Sequence, residues 1–138
     1  MILQNYNVPK IIWFFFLIGM LCIVLKAFYN GSQLKKHGII VQGKIVKIKA
    51  NFSTKGGAEC ILNYEYSYGG INHLEIIGRS GVFNEYKLDF IEKVFPVIVN
   101  PNTGESSLLV LKMNFEEYNI PFPDSLYWVE DRLKKYLE

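Results

Sequence analysis

The sequence predicts a mainly antiparallel β protein of the α+β class. An N-terminal transmembrane helix leads into a small antiparallel five-stranded sheet or partial barrel, with one short helix and a C-terminal amphipathic helix. Three observations predict this. Ile11 to Leu25 is an unbroken apolar run of fifteen residues. Cys60 to Tyr68 alternates strictly, with Cys60, Leu62, Tyr64, Tyr66 and Tyr68 on one face and Asn63, Glu65 and Ser67 on the other, the period of a half-buried strand. Gly69-Gly70 and Pro101-Asn102-Thr103-Gly104 then separate further short apolar segments with turn residues.

Eleven of the fifteen residues in the run are Leu, Ile, Phe or Val, which together favour the bilayer by roughly 3–7 kcal/mol. A helix of that length reaches only about 22 Å, short of the ~30 Å hydrocarbon core. The span therefore continues through Ala27, Phe28 and Tyr29, with Lys26 snorkelling to the headgroups. Ile11, Trp13, Phe15, Leu17, Leu21, Leu25 and Tyr29 are expected in lipid, Trp13 and Tyr29 near the two interfaces. No small-x-small cleavage site follows Leu25, which favours an uncleaved signal anchor over a cleaved signal peptide or a buried core helix. The expected organisation is residues 1–29 as tail and single-pass anchor, 30–37 as a polar juxtamembrane connector, and 38–138 as a soluble β-rich domain.

The net charge of +2 conceals an asymmetry: residues 1–58 carry eight lysines and no acidic residue, whereas residues 59–138 carry seven basic and thirteen acidic ones. Lys26, Lys35 and Lys36 flank the anchor and suit contact with an anionic leaflet, at about 1 kcal/mol each. The positive-inside rule taken alone favours a cytoplasmic domain, while a small domain behind an N-terminal anchor is often exported; sidedness stays open. Nucleic acid is not an expected partner, because the basic residues form no stripe with interleaved aromatics and arginine is scarce. Cys22 in the anchor and Cys60 in a strand have no reason to pair.

The first strand is expected over Ile39 to Ala50, with a bulge near Lys44 and Ile45 where the apolar alternation switches face. Phe52 to Gly57 reads as a loop. A third strand, Ile71 to Gly78, follows Cys60–Tyr68 through a three-residue hairpin loop. That register would bury Leu74 opposite Tyr64 and Ile76 opposite Leu62, and place Glu65 across from His73. Asn84 to Lys93 reads as a short helix capped by Asn84, with Tyr86, Phe90 and Val94 on one stripe. Phe95 to Asn100 and Ser107 to Lys112 are the last strands, and Asn114 to Glu117 is a cap motif opening a brief helical turn. Ser125 to Leu137 closes the chain as a helix with Leu126, Val129, Leu133 and Leu137 on one face; that face covers the sheet or lies on the membrane.

The chemistry-bearing residues are few. There are two histidines, and neither His37 nor His73 has a neighbouring His or Cys at zinc-ligand spacing. No nucleophile elbow, metalloprotease, P-loop or dinucleotide motif is present. Acid–base work by Glu65, His73 and Glu75 would require the three to converge in one cleft. The chain therefore reads as a non-enzyme without cofactor, catalytic residue, metal site or small-molecule substrate.

With its elements placed, the chain resembles the bacterial membrane-anchored family called domain of unknown function 3592. The resemblance rests on Gly38-x-x-x-x-Gly43-x-Ile45-Val46, the tyrosine-rich strand Leu62-Asn63-Tyr64-Glu65-Tyr66, the Gly-Gly hairpin, and Val97-Ile98-Val99-Asn100-Pro101-Asn102 leading to Ser106-Ser107-Leu108. It covers roughly Ile11 to Leu109. The chain departs from the family at Val99, where an aromatic is usual, in lacking the second proline of the family's ending, and in carrying a soluble C-terminal helix where many members have a second span. The resemblance implies a small membrane-tethered β domain and no known activity.

Size, anchor and an acidic distal half together point to a membrane-tethered, non-enzymatic protein-binding module, of which an immunity or inhibitor protein acting at the membrane is one form. The alternative is an envelope structural or lipid-interacting protein. The expected partners are the lipid bilayer, that of the bacterial inner (cytoplasmic) membrane, and a protein. Charge clustering with aromatics marks Glu116, Glu117, Tyr118, Asp124, Trp128, Glu130 and Asp131 as the place where a basic protein would dock.

Overall fold

The computed structural model describes residues 10–51 and 59–137; the loop expected at Phe52 to Gly57 lies outside them. Helix α1 (Lys10–His37) is continuous over 28 residues, about 42 Å at 1.5 Å per residue. Every residue from Lys10 to Tyr29 is exposed, and the helix is long and apolar enough to cross a membrane. The polar connector is itself helical, and Asn30-Gly31-Ser32 does not end the helix. Gln33, Leu34, Lys35 and Lys36 are good helix formers, the basic last turn of Lys35, Lys36 and His37 complements the helix dipole, and Leu34 is buried against the domain. Gly38 stops the helix with its N–H on the Leu34 carbonyl (2.9 Å). A Cβ there would come within 3.0 Å of that carbonyl and of Ile98, so only glycine allows so abrupt a change from helix to strand.

The sheet is antiparallel throughout, with strands β1 (Ile39–Ala50), β2 (Glu59–Tyr68), β3 (Ile71–Ser80), β4 (Val94–Val99) and β5 (Ser106–Leu108) in the order β3-β2-β1-β4-β5. The long central strand serves two neighbours: Ile39 to Lys44 pairs with β4, and Gly43 to Ala50 pairs with β2. Its register shifts between Ile45 and Lys47, making Val46 the extra residue of a bulge, one position beyond where the alternation breaks in the sequence. A bulge bends and twists its strand. The sheet curls until its two edges face each other, Arg79 of β3 donating to the Leu108 carbonyl of β5 (3.0 Å). The result is nearly a barrel.

The β2–β3 hairpin differs from the sequence expectation. Gly69 and Gly70 both have positive φ, +60° and +76°, the requirement of a two-residue type I′ turn whose twist matches the flanking strands. Tyr68 therefore pairs with Ile71, Tyr66 with His73, Tyr64 with Glu75 and Leu62 with Ile77. Leu74 and Ile76 stay outside, 63% and 66% exposed. His73 stacks on Tyr66 (5.0 Å between centroids) on the inner face, so it does not meet Glu65, which bonds Lys44 instead (3.2 Å). The conformational demand of the type I′ turn outweighs the burial of two aliphatic side chains.

The expected helix at Asn84 to Lys93 is two single turns, α2 (Val82–Glu85) and α3 (Lys87–Phe90), with Tyr86 between them. Asn84 lies inside α2 and caps nothing; Glu92 at φ 65° ends the segment. Val94 starts β4 and is exposed. The last strand is shorter than expected. Leu108, Leu109, Val110 and Leu111 are all buried, so the run leaves the ladder and passes through the core. Helix α4 (Lys112–Glu117) starts before Asn114, whose side chain reaches back to accept from the Leu111 N–H (2.9 Å). After a 3-10 turn (Asp124–Leu126), helix α5 (Tyr127–Leu137) packs on the domain with Leu126, Val129 and Leu133 buried, so these three are not available to a bilayer; the side chain of Leu137, expected on the same face, lies outside the described ones. The core joins the inner sheet face (Ile45, Leu62, Tyr64, Phe95, Val97) to Phe83, Phe90 and Phe115 from the helical turns.

Candidate functional site

Where α1 enters the domain, two elements flank it. On one side Asn30 donates to Glu105 (Nδ2 to Oε1, 2.7 Å). Glu105 is held there by a rigid turn: buried Asn100 accepts from the Asn102 N–H through Oδ1 (2.9 Å) and from the Gly104 N–H through its carbonyl (2.9 Å). One helical turn beyond Asn30, Leu34 is buried. On the other side, Ala27, Phe28, Gly31, Ser32 and Lys35 face Glu117 and Tyr118 across a groove of about 490 Å³. The end of α4 is fixed by left-handed Asn119 (φ 56°) and an N–H of Ile120 on the Phe115 carbonyl (2.9 Å), a Schellman closure. Sequence reasoning missed this junction. Its signal was Leu34, the lone large apolar residue among polar ones and four positions after Asn30.

The acidic and aromatic set expected to bind a partner does not form one face. Glu117 and Tyr118 line the groove against α1. Glu116 and Glu130 line a separate shallow groove of about 220 Å³ between α4 and α5, together with Lys112 and Met113. Glu130 also accepts the Lys112 N–H (3.0 Å) at the start of α4. Asp124 and Asp131 are exposed. Trp128 is half-buried, 5.4 Å from the Phe90 ring and 6.2 Å from Phe95, so it belongs to the core. Tyr127 is the exposed aromatic residue at this end. Lys26, Lys35 and Lys36 are all exposed on α1.

A second polar cluster closes the barrel seam. The Tyr64 and Ser106 hydroxyls bond across it (2.8 Å), and Arg79 spans to Leu108 with its Nε unpaired. Burial holds the Arg79 guanidinium below its ordinary pKa and the Cys60 thiol above its own. It pushes the Tyr64 phenol up to about 12, against the Ser106 bond, which lowers it. On the outer face Lys44 pairs with Glu92 (2.9 Å) and Glu65 (3.2 Å), which raise its pKa in that order. The Tyr136 hydroxyl donates to Glu85 (2.8 Å), which raises that phenol too.

Tyr64 therefore keeps its proton in the folded state at a pH where the unfolded chain, with a tyrosine pKa of about 10, has lost it. Stability is present below pH ~10 and falls as pH rises toward 12. Ultraviolet titration of tyrosinate in Tyr136→Phe, which removes the other raised phenol, should show a late phase near pH 12 that adding Tyr64→Phe removes, at a stability cost of about 0.5–1.5 kcal/mol for the lost Tyr64 hydrogen bond. A phase that survives the substitution would assign it to another tyrosine.

Glu65 lies on the outer sheet face, opposite to His73 and Glu75, so these three do not converge. Among the described residues no three His, Cys, Asp or Glu side chains are grouped as metal ligands. Compared with known proteins, the chain matches no family model, no curated protein and no solved structure.

Proposed function

We propose that this chain is a single-pass protein of the bacterial cytoplasmic membrane, of the kind grouped as domain of unknown function 3592. Its β domain binds a basic protein partner without catalysis. Neutralising a toxin at the membrane is one form this function takes. The observation that carries the reading is the groove between α4 and α5, lined by Glu116, Glu130 and the exposed Met113 together with Lys112, whose exposed ammonium stands 4.0 Å from Glu116 where a partner cation can displace it. An apolar floor with carboxylates at the rim suits the stem and head of a lysine or arginine from the partner, and the acidic excess of residues 59–138, thirteen acidic against seven basic, speeds its approach.

The test uses the full chain in its membrane, with a photoreactive residue at Met113 and, as control, at Leu88, an exposed position on α3. A discrete protein adduct from Met113, absent from Leu88 and lost with Glu116→Lys plus Asp131→Lys, is expected. Identical labelling from both positions, or adducts indifferent to the charge reversals, would defeat the proposal. A reporter fused after Glu138 that is active on one side of the membrane identifies the compartment in which the partner acts.

A further inference from the structure

A hydrophobic span sets the depth of everything attached to it. Lys10 to Tyr29 covers about 30 Å of helix, the thickness of the hydrocarbon. Phe28 then lies in its last turn, Ser32 at the level of the lipid esters, and Lys35 less than two turns beyond Tyr29, among the headgroups. These three fall at i, i+4 and i+7 on one face of α1, and Glu117 and Tyr118 stand opposite them across the junction groove. The end of α4 is thereby brought down to headgroup level. The groove is open beside Gly31, one of its lining residues, since a Cβ there would meet nothing within 4 Å.

The charges at the rim are opposite and do not satisfy each other. Among the described residues neither Lys35 nor Glu117 forms an ion pair, although Lys44, Lys112 and Arg132 all do. Long side chains of opposite sign that share a groove without closing on each other fit a ligand carrying both charges. A phosphate suits the lysine ammonium. A primary ammonium supplies three N–H donors to the carboxylate, which a quaternary choline cannot do. A purely anionic headgroup would meet Lys35 favourably and Glu117 unfavourably.

We propose that the groove between α1 and α4 seats one phospholipid with a zwitterionic ethanolamine headgroup. Its phosphate lies at Lys35, its ammonium at Glu117, and the start of one acyl chain lies along Phe28 and the Tyr118 ring. The inference rests on α1 being the membrane span. It is independent of the partner groove between α4 and α5, which shares none of these residues.

The full chain, extracted from membranes and exchanged into mixed micelles, is offered ethanolamine, choline and glycerol phospholipids at equal mole fraction, and retained lipid is counted by native mass spectrometry. One ethanolamine lipid per chain is expected, retained about fivefold over the glycerol lipid, the effect of one unit charge near the surface. Glu117→Gln should bring the two within about twofold of each other. Gly31→Leu, which fills the groove and improves helix propensity, should abolish retention of all three. Equal retention of the three lipids, preference for the glycerol lipid, or indifference to Gly31→Leu each overturn the proposal. A chain absent from the membrane fraction at the outset fails the span itself, a result distinct from a membrane protein without lipid preference.

Discussion

Phe90→Ala is expected to destabilise the domain by about 3–5 kcal/mol, the range for truncating a fully buried phenylalanine. Phe90 has no exposed surface and is the hub of an aromatic cluster. Its ring lies 5.0 Å from Phe83 edge to face, 5.4 Å from Trp128 and 6.2 Å from Phe95, so its removal takes a partner from three rings at once. Those rings come from α2, β4 and α5, so the void would lie where the C-terminal helix is fastened to the sheet. At about 4–8 °C per kcal/mol for a domain of this size, the melting temperature of the full chain in detergent should fall by more than 12 °C. Phe90→Leu, which nearly conserves volume, should cost less than about 1.5 kcal/mol. A shift below 1 kcal/mol for the alanine variant would mean that α5 closes the void by moving, and would make the cluster less rigid than its geometry.

The same cluster shows what the sequence makes legible. The period of Leu126, Val129 and Leu133 marks α5 as amphipathic, and the structure buries all three. Strand β2 is readable because every second residue is apolar. Where the structure departs from the sequence pattern, a local conformational requirement competes with a hydrophobic preference. In the hairpin, burial of Leu74 and Ile76 favours one register and the type I′ turn of two adjacent glycines another, and the turn fixes it. At residues 30–37 the polar composition pointed to a connector, yet helix propensity together with one buried leucine carries α1 through to His37. In Leu108 to Leu111 the lack of alternation, readable as a buried strand, belongs instead to a chain leaving the ladder through the core.

The candidate site was less legible than the fold, for a physical reason. Charge clustering in sequence says which residues are acidic and nothing about which face they share. Glu116 and Glu117 are adjacent, so on α4 they point about 100° apart, one toward α5 and the other toward α1. Trp128 has the composition of an interface anchor but lies on the core side of its helix against Phe90. The junction groove is assembled from two segments, Ala27 to Lys35 and Glu117 to Tyr118, far apart in a chain whose sequence hint of contact is Leu34.

Leu17→Arg combined with Leu21→Arg is expected to remove the protein from the membrane altogether. The two positions lie near the middle of the exposed stretch from Lys10 to Tyr29 and on one helix face, i and i+4. Each arginine at the centre of a span costs about 2.5–3.5 kcal/mol and each lost leucine forfeits roughly 0.5 kcal/mol more, so the pair costs about 6–8 kcal/mol. That matches or exceeds the roughly 3–7 kcal/mol by which the apolar run favours the bilayer. Both side chains are exposed, 63% and 57%, and their loss leaves the domain core untouched. The variant should therefore appear in the soluble fraction after alkaline carbonate extraction while the Trp128 environment still reports a folded domain. Leu17→Ile with Leu21→Ile should remain in the pellet. If the double arginine chain stays membrane-bound and folded, attachment does not come from α1 crossing the bilayer. The junction groove would then face a membrane surface that something other than the span had brought to it.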